Sequence, residues 1–466
     1  MDKEKIIEIK RKLDNVGPGF CLAKWTQVTV HLGIGHTHSC HHPASHKIPL
    51  EEIKINSSAL HNTQYKKERR NEMLNGIRPQ ECQYCWSVED LKNSDDFSDR
   101  VLKSSDDWSY PYFDEVLKAG AEGNITPKYL EISFSNVCNF KCSYCNPAIS
   151  SKWMEEIERY GPYKTHGNYN NLEHLVSVGK IPLKASENNP YVDAFWEWFP
   201  KIYKDLNTFR ITGGEPLLDK NLFKVLNYII DNPNPKLDLS INTNLCVPDN
   251  LFDSFLEKIK IITENNLVKK IWLFTSCEAY GKQAEYIRYG LDYNFWLKNC
   301  EKYIQQVPGG DILVMATYNN LSLGSFKLFL GDVFNLTKQS FISSIENKTQ
   351  SAFRIDIPRL VYPQHQSINI LTEDFEKYFD DQINFMKSNF THAKFSGAGF
   401  SEYEIHKLER VKHTFKESLG NNEPFKNILR KDFAIFVDEH DRRRGTNFLE
   451  TFPEMEKFYY MCKELI

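Results

Sequence analysis

Three thiols stand in eight residues of this chain: Cys138, Cys142 and Cys145, inside "VCNFKCSYCN". Three thiolates on one short loop can bind three irons of a 4Fe–4S cluster, which ordinarily takes four cysteines. One iron is then left open to an outside ligand. Structural zinc fits poorly, because it wants four closed ligands. A second group, Cys21, Cys40, Cys82 and Cys85, lies in the first 85 residues and ends in a C-x2-C pair. Four thiols of this kind close either one metal cluster or one tetrahedral zinc site. The other four of the eleven cysteines, Cys246, Cys277, Cys300 and Cys462, are scattered. They default to packing, since buried Cys behaves as a small hydrophobe.

The elements that must carry these thiols are legible in part. "YLEISFS", "FRITGG", "KLDLSINTN", "KKIWLFTS", "GDILVMATY" and "AFRIDIPRLVY" are apolar, β-branched runs, mostly separated by helical patterns such as "NLFKVLNYIID". Such alternation predicts parallel βαβ units. Six strands suit an open, partial barrel, with chemistry at the C-terminal strand ends. The cysteine triplet follows the first of these strands at once. Residues 1–125 read as an irregular N-terminal domain. In it, "WTQVTVHLGIGHTHSC" predicts a β-hairpin and "TQYKKERRNEMLNG" a helix ending at Gly76, its charges a solvated face. The barrel is expected over 126–370 and a helical C-terminal extension over 371–466. About sixty residues separate the triplet from "FRITGG". Their polar middle, "YKTHGNYNNLEHLVSVGKIPLKASENNP", has the character of a lid or a disordered insertion.

Composition narrows the function classes. The 58 basic and 62 acidic residues leave a net charge of −4, so nothing marks a nucleic-acid binder. No apolar run is long enough for a membrane span, and the charged start "MDKEKIIEIKRKLDN" has no secretory character. The expected location is the cytoplasm, where thiols stay reduced.

The C-x3-C-x2-C loop after the first strand, together with "GGEP" (Gly213, Gly214, Glu215, Pro216) after the second, resembles the radical S-adenosylmethionine (SAM) family. The resemblance spans roughly residues 126–370. It implies a 4Fe–4S cluster on Cys138, Cys142 and Cys145 whose open iron binds SAM. It further implies reductive cleavage of SAM to a 5′-deoxyadenosyl radical, which takes a hydrogen atom from the substrate. Gly213 and Gly214 let backbone approach the cofactor, Glu215 offers an acceptor to its ammonium, and Tyr144 resembles the aromatic that packs by the adenine. At further strand ends, Asn242 and Asn244 are candidates for the ribose or carboxylate of SAM, and Ser276 and Glu278 for the ribose. Arg288 resembles an arginine found here in relatives with auxiliary clusters, and is a candidate to pair with a carboxylate. Thr317 and Asn319 mark the tip of the fifth strand.

The N-terminal cysteines resemble the ligand pattern of SPASM and twitch domains, which hold auxiliary 4Fe–4S clusters. Here the pattern precedes the barrel, whereas those domains usually follow it. Cys21, Cys40, Cys82 and Cys85 would then ligate a second 4Fe–4S cluster, with zinc the alternative. The neighbouring His36, His38, His41, His42 and His46 either add imidazole ligands or are polar loop residues. Relatives of this kind imply a peptide or protein substrate, oxidised or cross-linked, and a reducing donor such as flavodoxin or ferredoxin. An RNA-modifying or small-molecule-modifying radical SAM enzyme is the alternative. A non-catalytic zinc or iron–sulfur protein is the remaining one.

Overall fold

The computed structural model describes residues 3–91, 97–184, 188–392 and 397–466. Its strands are β1 (Gln27–His31), β2 (His36–His38), β3 (His46–Lys47), β4 (Tyr129–Ser133), β5 (Lys141–Cys142), β6 (Thr208–Thr212), β7 (Asn234–Thr243), β8 (Val268–Ser276), β9 (Arg288–Tyr289), β10 (Asp311–Met315) and β11 (Phe353–Asp356). The six strands expected from the sequence are β4, β6, β7, β8, β10 and β11. They form a mostly parallel α/β architecture with a helical C-terminal part.

The chain divides into two compact units. The first comprises Met1–Ser135, Pro182–Gly213 and Asn232–Ser240. The expected boundary near residue 125 falls inside it. Here β1 and β2 form the expected hairpin, Thr29 opposite His38 and His31 opposite His36. Gly35 turns it with φ +64°, and a Cβ there would lie 2.2 Å from the Tyr191 ring. β1 also pairs in parallel with β4, and β4 with β6. Alternation then sorts the side chains. Val28, Val30, Leu130, Ile132, Phe209 and Ile211 are buried on one face. Gln27, Thr29, His31, Glu131, Ser133 and Arg210 share the other. A separate apolar core gathers Ile9, Leu13, Phe20, Leu22, Trp25, Met73 and Trp86 around Cys82 and Cys85.

The helix Gln64–Leu74 forms as predicted, with Thr63 as its cap. Its charges correct the expectation of a solvated face: Lys66 and Arg70 are buried. Lys66 Nζ lies 3.0 Å from His61 Nδ1, and Arg70 donates to Asn62 Oδ1 at 2.9 Å and lies over the Trp25 ring.

The second unit comprises Asn136–Ile181, Gly214–Asp231 and Ile241–Ile466. In it β8 and β11 each pair in parallel with β10, and β5 pairs antiparallel with β9. The described part of the expected lid in this unit is packed. Tyr163 donates to Glu156 at 2.8 Å, the His166 backbone N–H donates to Asp432, and the buried Tyr169 contacts the Trp153 and His365 rings. Residues 185–187 of that stretch lie outside the described residues. Among the described residues, no helix is long and apolar enough to cross a membrane.

Candidate active site and candidate metal centre

Backbone hydrogen bonding fixes the triplet loop. Ser150 caps the helix Ser151–Tyr160 and donates to Phe140 O at 2.7 Å. Ser151 Oγ receives the Cys138 N–H at 3.1 Å, and Trp153 Nε1 donates to Cys142 O at 2.8 Å. From the far C-terminal part, Arg444 donates to Lys141 O at 2.7 Å, and Gln366 bonds both the hydroxyl and the carbonyl of Ser143. Burial pushes the Cys138 thiol up to about 12, and the neighbouring Cys142 pushes it the same way. Burial likewise raises Cys142 and Cys145, while Arg288 works against it at Cys142. A bound iron cluster would supply the positive charge that favours their thiolates.

The "GGEP" turn is seated against this loop. Glu215 N–H donates to Val137 O at 2.7 Å. A Cβ on Gly214 would come within 2.3 Å of Val137 O and 2.8 Å of the Asn136 backbone, so only glycine fits. In the first unit, Gly213 has φ +126°, a conformation glycine adopts without strain. Glu215 is buried and its carboxyl is pushed up to about 7 by that burial. It accepts from Leu217 N at 3.0 Å, Thr243 Oγ1 at 2.8 Å and Asn244 N at 2.6 Å. A carboxylate has about four acceptor sites, so three are already committed to the chain itself. Asn244 Nδ2 in turn donates to Asn139 Oδ1 at 2.8 Å. Pro216 is buried at the start of that turn, and Asn242 and Ser276 are half-buried at the ends of β7 and β8.

Tyr144, Glu278 and Arg288 form one buried network. Arg288 donates to Glu278 at 2.8 and 2.5 Å and to the Tyr144 hydroxyl at 2.5 Å. Its remaining Nη1 lies 3.8 Å from Cys142 Sγ. The arginine thus joins the Glu278 carboxylate to the Cys142 thiol of the triplet loop. Asn319 turns inward, bonding Thr317 O and Leu321 N, and so caps the local turn.

The first unit holds a second thiol site. Cys21, Cys40, Cys82 and Cys85 line one cavity, with Lys24, His42, Asp99, Arg100 and Lys103. Cys21 precedes the short turn into β1, Cys40 follows β2, and Cys82 and Cys85 open the helix Gln83–Glu89. Burial raises Cys82 and Cys85 to about 12 and Cys40 in the same direction. Arg100 is locked by Glu89, Asp14 and Phe20 O. Of the five nearby histidines, His42 lines the cavity, bonds Asp99 at 2.7 Å and stacks on Tyr84. His38 bonds Cys40 O at 2.5 Å and His31 at 3.2 Å. His36 and His46 face Ser45 and Thr63. Burial lowers His41 to about 4. Among the described residues, no three His, Cys, Asp or Glu side chains are arranged to hold a single metal ion.

On the polar face of β1 and β4, Gln27 Oε1, Thr29 Oγ1 and Glu131 Oε2 are buried without a hydrogen-bond partner among the described residues. Arg210 Nε stands 3.9 Å from Glu131 Oε2, close enough for an ion pair but not for a hydrogen bond. Sequence reasoning missed this face, and missed Lys24, Arg100, Gln366 and Arg444. Only Lys24 had a local signal, three residues after Cys21.

Residues 132–322 match the Radical SAM superfamily. The chain's curated relatives include the GTP 3′,8-cyclases of Campylobacter jejuni subsp. doylei, 34% identical over 116 residues, and of Sulfurovum sp., 31% identical over 121 residues. These matches cover 25% and 26% of this chain, and the chain spans about 27% of the length of each of these relatives. Among solved structures, Streptococcus suis SuiB bound to its precursor peptide SuiA is 13% identical, with a TM-score of 0.32. The match covers 82% of this chain and 72% of that one.

Proposed function

We propose that this chain cleaves SAM reductively at a 4Fe–4S cluster on Cys138, Cys142 and Cys145 and uses the resulting radical to abstract hydrogen from a substrate. The observation that carries the reading is the "GGEP" turn clamped onto the triplet loop through Glu215 N and Val137 O, beside Arg288 and Cys142. When bound, the cluster and SAM supply the electron and the 5′-deoxyadenosyl radical. The chain's own part is positional. Trp153, Ser151, Gln366 and Arg444 hold the loop, Gly214 admits the turn, and Arg288 offsets thiolate charge at Cys142. Tyr144, Asn242, Asn244, Ser276 and Glu278 are the proposed contacts to SAM.

Cys21, Cys40, Cys82 and Cys85 are proposed to hold an auxiliary 4Fe–4S cluster. A shared cavity lined by four thiols supports this. Zinc would draw its ligands round one point, whereas cluster cysteines bind separate irons and stand further apart. The substrate is read as a peptide or protein, from the SPASM-like cysteine pattern. The GTP 3′,8-cyclase relatives favour a second reading, a small polar molecule. In either case the Gln27 acceptor, without a hydrogen-bond partner among the described residues, calls for a group bearing N–H or O–H donors.

Anaerobic reconstitution tests both cluster assignments. The whole chain should bind about eight irons and cleave SAM on reduction. Replacing Cys138, Cys142 and Cys145 by Ala should leave about four irons and abolish cleavage. The Cys82→Ala, Cys85→Ala variant should keep SAM cleavage and lose the other four. One zinc and no iron in the triple variant would make the N-terminal centre a zinc scaffold. Cleavage by the triple variant would refute the radical SAM assignment.

A further inference from the structure

Around the four-thiol cavity the ionic side chains are ordered in a way ligand spacing does not require. Lys24 is 3% exposed and lines the cavity. Its ammonium is ion-paired to Glu81, which also accepts from Tyr65 OH at 2.8 Å. Lys24 and Lys103 line the cavity beside the four thiols, with Asp99 the carboxylate of its wall, while Glu81 is not among the lining residues. The cation therefore stands in the wall with the thiols, and its carboxylate partner lies outside the lining as an anchor. Arg100, the other buried cation of the wall, is already matched by Asp14 and Glu89.

We propose that Lys24, oriented by Glu81, is a positioning residue that sets the reduction potential of the centre held by Cys21, Cys40, Cys82 and Cys85. This rests on the reading of that centre as a 4Fe–4S cluster. Four thiolates give such a cluster a net negative charge, and each added electron makes it more negative. A buried ammonium at the wall favours the reduced form and raises the potential, because cluster potentials follow net charge, hydrogen bonding to sulfur and exposure. The low-dielectric setting makes one such charge count. Glu81, outside the lining, opposes it.

The test is a redox titration of the reconstituted full chain, followed by the electron paramagnetic resonance signal of the auxiliary cluster. Lys24→Met should lower its potential by at least a tenfold change in the reduction equilibrium, about 59 mV for one electron. Lys24→Arg should restore most of the wild-type value. Glu81→Gln, which keeps the lysine and a side-chain oxygen to hold it, removes the opposing charge and should move the potential upward. It keeps the proposal testable if Lys24→Met fails to fold. Unchanged potentials in chains that still hold the cluster would overturn the role of Lys24. A wild-type chain with only the barrel cluster would instead overturn the reading on which it rests.

Discussion

Replacing Arg444 by Met should destabilise the chain more than any exposed charge change, and the cost can be worked out. Arg444 sits at the end of the helix Glu423–Arg444, which Gly445 closes in a left-handed conformation. Its side chain is fully buried and donates to Glu156 at 3.1 and 3.3 Å and to Lys141 O at 2.7 Å. Burial alone would push the Glu156 carboxyl up. The charge and hydrogen bonds of Arg444, with help from Lys141 and Tyr163, bring it down to about 2 from 4.5. Each pKa unit is about 1.4 kcal/mol, so the ionised carboxylate gains ~3 kcal/mol from its partners. Breaking a buried pair costs about 3–5 kcal/mol, and the stranded Lys141 carbonyl adds ~1 kcal/mol. Lys141 still pairs with Glu156 at 2.6 Å and keeps the total near the lower end, about 3–4 kcal/mol. The folded pKa is depressed, so this stability is complete above the unfolded value near 4.5 and is lost as pH falls toward 2. Urea unfolding midpoints of wild type and Arg444→Met should therefore differ widely at pH 7 and converge as pH drops below about 4. The Glu156→Gln, Arg444→Met double variant should recover part of the loss, because no bare carboxylate remains. A midpoint difference equivalent to under about 1 kcal/mol at pH 7, or one that does not change with pH, would refute this account.

Two further outcomes are expected. Gly214→Ala forces a Cβ to within 2.3 Å of Val137 O, which is backbone and cannot swing aside. SAM affinity measured by equilibrium dialysis should fall at least about tenfold, ~1.4 kcal/mol, and an unchanged affinity would mean the turn is not part of the cofactor site. Lys66 is buried against His61, and burial holds its ammonium well below the usual lysine range. The unfolded chain then binds more protons, so wild-type stability should rise from pH 7 toward 10. Lys66→Met should be more stable at pH 7 and lose that slope, and a variant less stable at pH 7 would show that the contact with His61 outweighs the burial of the lysine.

What could be read from the sequence was whatever is local. The triplet and "GGEP" are short spacings on single turns, and the six strands declare themselves through β-branched alternation within a few residues each. The N-terminal cysteines were visible as a set, but nothing in their spacing placed Lys24 beside them or said which way its ammonium faces. The helix Gln64–Leu74 shows the limit most plainly. Its charges read as a solvated face because charge pattern alone favours water. Lys66 and Arg70 turn inward because His61, Asn62 and the Trp25 ring offer partners, and a side chain's partner is a tertiary fact. The same holds for Arg444, whose carbonyl partner Lys141 lies some three hundred residues away, and for the parallel pairing of β1 with β4, which brings residues of a hairpin beside a strand a hundred residues on. That pairing is what sets Gln27 and Thr29 on the same face as Glu131 and Arg210. The polar face therefore follows from register, which neither strand specifies alone.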